Sequence, residues 1–100
     1  MSQHNAWIHA SATLVAIGLG LTCGIRRTEW FAIILAVVSV WSAEALNTAF
    51  EFLCDVASPE FHPLVAKAKD VAAGAVLICA LGAATIGLLV FGPHFWAMVR

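Results

Sequence analysis

Charge is scarce in this sequence: five Lys and Arg and six Asp and Glu make 11% of 100 residues, where a soluble domain carries about 25%. That scarcity excludes a soluble globule, because a chain this short cannot bury a 62% hydrophobic composition in a core of its own. A mean hydropathy of +0.93 assigns the role of solvent to lipid. The formal charge of −1 comes with no clustered basic face, which excludes nucleic acid as a partner. Cysteine is sparse as well. Cys23, Cys54 and Cys79 are odd in number and far apart, with no C-x-x-C pair and no Cys/His cluster at metal-ligand spacing, and they read as small buried hydrophobes. No Lys or Arg precedes the first apolar run in Met1-Ser2-Gln3-His4-Asn5, so a secretory signal is not expected and the first hydrophobic segment should remain in the mature protein. There is no G-x-x-x-x-G-K-[ST] loop and no kinase-type glycine loop, so any nucleotide site must be of another kind.

What remains divides into three hydrophobic stretches. Trp7 to Ile25 is free of formal charge and stops at Arg26-Arg27; Trp30 to Ala43 is uncharged and its helical pattern continues to Cys54; Val71 to Trp96 follows, with Pro93 expected near its end. A spanning helix needs about 20 apolar residues, which predicts an all-α, single-domain membrane protein (1–100) with transmembrane helices over about 7–25, 30–54 and 71–96. Glu29 belongs in the first turn of the second helix, where an acid suits the helix dipole. Pro59 and Pro63 break the chain between the second and third helices, after which Leu64 to Asp70 can restart a helix. Gly20/Gly24 and Ala83/Gly87 have small-x-x-x-small spacing suited to close helix packing. Trp7, Trp30 and Trp96 are placed as interfacial anchors and Trp41 as a packed mid-helix residue, with His4 and His94 solvated or interfacial. Loop charges leave orientation open, with Lys67 and Lys69 on one side against Arg26, Arg27 and Arg100 on the other.

Ionised groups at hydrocarbon depth cost roughly 2.5–3.5 kcal/mol each on insertion scales and are functional candidates by default. At about 100° per residue, Glu44, Asn47, Glu51 and Asp55 fall within roughly 80° of arc on the second helix. Glu44 lies about 21 Å along that helix from Trp30, at lipid depth, while Glu51 and Asp55 emerge toward the Pro59 loop. The stripe therefore leads from lipid to water. Such a face can pair polar groups between helices and do no chemistry. Followed by Lys69-Asp70, it also supplies what a phosphate-and-magnesium site needs: carboxylate oxygens for a hard cation, a lysine for phosphate, and a base at lipid depth for a hydroxyl.

Glu44-Ala-Leu-Asn47-Thr-Ala-Phe-Glu51-Phe-Leu-Cys-Asp55, then Ser58-Pro-Glu60-Phe61-His62-Pro63, then Ala68-Lys69-Asp70-Val-Ala-Ala-Gly74 resemble the signature of the prokaryotic diacylglycerol kinase and undecaprenol kinase family. Thr28-Glu29-Trp30 and Phe91-Gly92-Pro93 extend the resemblance over essentially the whole chain. It implies a homotrimeric helical bundle in the bacterial inner membrane, an ATP- and Mg2+-dependent lipid kinase that phosphorylates diacylglycerol, undecaprenol or another lipid alcohol, with its second loop in the cytoplasm. By the same resemblance Glu44 is the catalytic base at the lipid hydroxyl, Asn47 a catalytic positioning residue, Glu51 a magnesium ligand that also meets ATP, and Glu60, Phe61, His62, Lys69 and Asp70 nucleotide contacts.

Departures from the family pattern lie at the N-terminus. An Arg-rich surface helix expected ahead of the first spanning helix is not expected in this chain, which would remove part of the site's wall. The opening Glu-x-Asn-x-basic-x-His pattern reads Gln3-His4-Asn5-Ala6-Trp7-Ile8-His9, so an amide replaces the second metal-binding carboxylate and Trp7 the basic residue. A non-catalytic member of the family that binds lipid or nucleotide is the alternative these changes raise. A haem-binding anchor would use His9 and His62, which share no helix, and a proton-coupled transporter would use Glu44 but leave Lys69-Asp70 unexplained.

Overall fold

Three helices make up the residues that the computed structural model describes, 3–99, with side chains from Trp7 to Val99: α1 Gln3–Cys23, α2 Arg27–Ala57 and α3 Pro63–Val99. Each boundary has a local cause. Gly24 adopts φ +63°, a conformation that costs other residues, and the N–H groups of Gly24 and Ile25 both donate to Gly20 O (3.1 and 3.2 Å), closing α1 in the manner of a left-handed C-terminal cap. At the start of α2 the Glu29 carboxylate accepts the backbone N–H of Arg26 (3.0 Å), half of a capping box; the arginine side chain has no acceptor to supply the other half. Cys54 O accepts the Ser58 N–H (2.8 Å) at the end of α2, and Pro59 then holds Ser58 out of the helical region. Pro63 takes the first position of α3, where its missing N–H costs nothing, and His62 Nδ1 accepts the N–H of Leu64 (3.1 Å) as the cap.

Pro93 does not end α3, which runs on to Val99. The proline forfeits the one bond that Leu89 O would accept. Val90 and Phe91 are buried one turn earlier, and His94 Nε2 reaches Glu29 Oε1 at 3.5 Å, so packing and a contact on both sides of the proline hold the helix together. His94 is accordingly half-buried against α2 rather than free in solvent.

The bundle is a rod of 57 × 21 × 19 Å in which α2 and α3 pack most extensively and α1 lies more lightly across both. The core is a small cluster of Ile25, Ile33, Val90 and Phe91 at the end near the first turn. Trp30 packs inward against Gly20, not outward as an anchor: a Cβ on Gly20 would stand 2.5 Å from the indole. Gly24 is spent on the turn and meets nothing within 4 Å, so the G-x-x-x-G is not a helix-packing motif within this chain. Trp7 and Trp96 are exposed, and Cys54 is buried while Cys23 and Cys79 are partly so. Arg27–Ala57 and Pro63–Val99 are each long and apolar enough to cross a membrane; the apolar part of α1, Trp7–Cys23, is shorter.

Candidate functional site

Burial falls steadily along the polar face of α2. Glu44 is 3% exposed, Asn47 and Glu51 are half-buried, and the Asp55 side chain is 68% exposed. Spacing of three or four residues per turn brings these groups into contact along the helix: Asn47 Nδ2 donates to Glu51 Oε1 at 3.4 Å. The amide oxygen on the other side of Asn47 is buried with no partner among the described residues. An orphaned acceptor at this depth is costly unless a further group meets it.

The Glu44 carboxylate meets His9 of α1, with Nε2 and Oε2 3.5 Å apart. Trp41, one turn before Glu44, sets its ring edge-to-face on His9 (centroids 5.9 Å apart, planes at 60°) and donates its Nε1–H to Thr13 Oγ1 at 3.0 Å. Thr13 in turn donates to His9 O at 2.7 Å, so the four side chains form one connected arrangement. An apolar cavity of about 170 Å³ opens beside it, between all three helices, with Ala36, Val40, Ala83 and Phe91 in its walls.

At the aqueous end Lys69 Nζ and Asp55 Oδ1 are 3.4 Å apart, joining α3 to the last turn of the stripe. A second cavity of about 160 Å³ lies there, lined by Asp55, Glu60, Phe61, His62 and Lys69. Glu60 and Phe61 are exposed. With Nδ1 engaged as the cap of α3, His62 must carry its proton on Nε2, which leaves that nitrogen a donor for another group. Asp70 stays on the exposed side of α3, so the lysine meets Asp55 and not its sequence neighbour.

The structure thus gathers Asp55, Glu60, Phe61, His62 and Lys69 at one end and aligns Asn47 and Glu51 between them and Glu44. The side chain of Gln3 lies outside the described residues. Among the described residues no three His, Cys, Asp or Glu groups converge as a metal cluster. The Glu51 carboxylate is a hard oxygen donor of the kind magnesium takes, commonly one or two carboxylates with phosphate and water completing the shell, whereas Asn47 turns its nitrogen to Glu51 and its oxygen away. Thr13, Trp41 and the contact of His9 with Glu44 were not read from the sequence as parts of the site. These pairings share one antiparallel register: Gly20–Trp30, Thr13–Trp41 and His9–Glu44 are nearly equidistant from the Gly24–Arg26 turn.

An all-helical membrane-type protein with a buried acid leading to an open basic and acidic end is the class that fold and site define. The family description "Prokaryotic diacylglycerol kinase" matches residues 1–91, and the chain belongs to that family. It is similar to undecaprenol kinase of Bacillus subtilis (strain 168), 38% identical over 92 residues, which is 92% of this chain and 75% of that one. Diacylglycerol kinase of Helicobacter pylori (strain J99) is 33% identical over 94% of this chain and 69% of its own length, and that of Escherichia coli (strain K12) is 29% identical over 90% and 80%. No solved structure matches the chain.

Proposed function

We propose that this protein is a multi-pass lipid kinase of the bacterial inner membrane, transferring the γ-phosphate of ATP to the hydroxyl of a membrane lipid, with three spanning helices per chain and three chains per active assembly. The observation that carries the reading is Glu44: a carboxylate buried to 3% exposure in an apolar rod, at the head of a polar face that opens on Lys69 and His62. Phosphoryl transfer asks for little covalent chemistry from the protein and much positioning and charge compensation. Glu44 takes the proton of the lipid hydroxyl; the freed oxygen bonds to the γ-phosphorus as the bond to the β–γ bridging oxygen breaks, and ADP leaves. Asn47 aligns the groups between base and phosphate. Lys69, exchanging Asp55 for phosphate, supplies positive charge, His62 offers its Nε2–H, Glu60 and Phe61 flank the nucleoside, and Asp70 meets the nucleotide from the exposed side of α3. Glu51, with Gln3 as a neutral second donor, would hold Mg2+, which supplies charge neutralisation to the triphosphate.

The lipid acceptor is of the class named in the relatives, diacylglycerol or undecaprenol. Purified protein in mixed micelles with labelled ATP, magnesium and a panel of lipid alcohols tests the reading. Label appearing in one phospholipid product supports it. Binding of nucleotide or lipid with no transfer to any acceptor would instead establish the non-catalytic family member.

A further inference from the structure

The contact between His9 and Glu44 has a requirement that neither residue meets alone. A carboxylate buried in apolar surroundings needs a polar partner to hold it in one orientation. His9 of α1 stands beside it, with Nε2 3.5 Å from Oε2. The imidazole is itself poorly clamped by packing on one side, because the cavity of about 170 Å³ runs along it. What fixes the ring is Trp41, edge-on at 5.9 Å, and Trp41 is fixed in turn by its bond to Thr13 at 3.0 Å. Two of these groups come from α1 and two from α2, so the arrangement forms only when the helices dock in this register.

We infer that His9 is a positioning residue for Glu44: its Nε2 side holds the carboxylate in the orientation that receives the acceptor's proton, and Trp41 and Thr13 hold the imidazole in place. This rests on the kinase reading and adds to it the device that readies the base. Because His9 acts on the base and not on nucleotide, its loss belongs in kcat and leaves the KM for ATP unchanged. A polar contact that aims a catalytic carboxylate is worth about 10- to 100-fold in rate.

The test compares His9→Leu, His9→Gln and Thr13→Val with the parent, all purified from membranes in the same assembly state. His9→Leu should lower kcat by about 10- to 100-fold with KM for ATP unchanged, and His9→Gln, which keeps an N–H donor of similar reach, should recover most of that loss. Thr13→Val should give a smaller loss in the same direction. Infrared difference spectra, assigned against Glu44→Gln, should show the Glu44 carboxylate band displaced in His9→Leu and returned toward the parent in His9→Gln. Equal kcat in the Leu and Gln variants, or a Glu44 band unmoved by His9→Leu, would overturn the inference. Absence of transfer by the parent would instead overturn the kinase reading, and the infrared comparison would still decide whether His9 sets the state of Glu44.

Discussion

Asn47 stands between an acid sealed from solvent and two that face it, and its two amide atoms are used unequally. The nitrogen is committed to Glu51 at 3.4 Å, while the oxygen is buried without a partner among the described residues. Leaving such an acceptor unmet costs roughly 1–3 kcal/mol, which a bound cation or substrate would recover. If Glu51 holds magnesium, Glu51→Gln should raise the magnesium concentration needed for half-maximal activity by at least about tenfold, because ligand charge sets affinity for a hard cation. Magnesium titrations check this, and an unchanged requirement would remove Glu51 from the metal. In the same assay Gln3→Glu should lower the requirement, since it restores formal charge where the amide offers only a dipole. The acids and the amide were legible in the sequence because helical periodicity alone places them on one face. The partner of Glu44 was not, because His9 lies on another helix and periodicity within one helix is silent about register between two.

Helix boundaries show the same division between local and tertiary causes. Pro59 and Pro63 announce the second break because a proline acts on its own backbone, and the structure puts the break between Ala57 and Pro63. Pro93 misleads for the opposite reason: the core residues Val90 and Phe91 and the His94–Glu29 contact outweigh one lost hydrogen bond. Gly20 and Gly24 share a motif spacing yet serve different ends, one making room for Trp30 and the other turning the chain at φ +63°. Gly24→Ala should therefore cost about 1 kcal/mol through backbone strain alone. Gly20→Ala should cost about 1–3 kcal/mol by overpacking. Trp30→Leu should relieve part of the Gly20→Ala loss and none of the Gly24→Ala loss. Unfolding in mixed detergent measures all three, and an equal response of both glycine variants to Trp30→Leu would contradict the separation.

Taken whole, the chain exposes 7119 Å² of surface, against about 5,500 Å² for a folded soluble monomer of its mass. Large apolar side chains such as Leu14, Leu21, Leu46, Val71 and Leu88 face outward, which suits lipid or neighbouring chains and not water. A single chain covers the buried half of the stripe but leaves Asp55, Glu60 and Lys69 open, so neighbouring subunits should complete the site. Crosslinking in an activity-preserving detergent should yield trimers, and monomer alone would contradict that expectation. A thiol placed by Ser58→Cys should react with impermeant reagent only from the cytoplasmic side, where ATP is; labelling from outside the cell would refute the orientation. A buried carboxylate serving as the base for phosphoryl transfer to lipid makes Glu44→Gln the decisive variant. Compared at equal protein in mixed micelles, the variant should match the parent in assembly and nucleotide binding while losing about 10²–10⁴-fold in the rate of label transfer from ATP to lipid. Turnover within a few fold of the parent would contradict it.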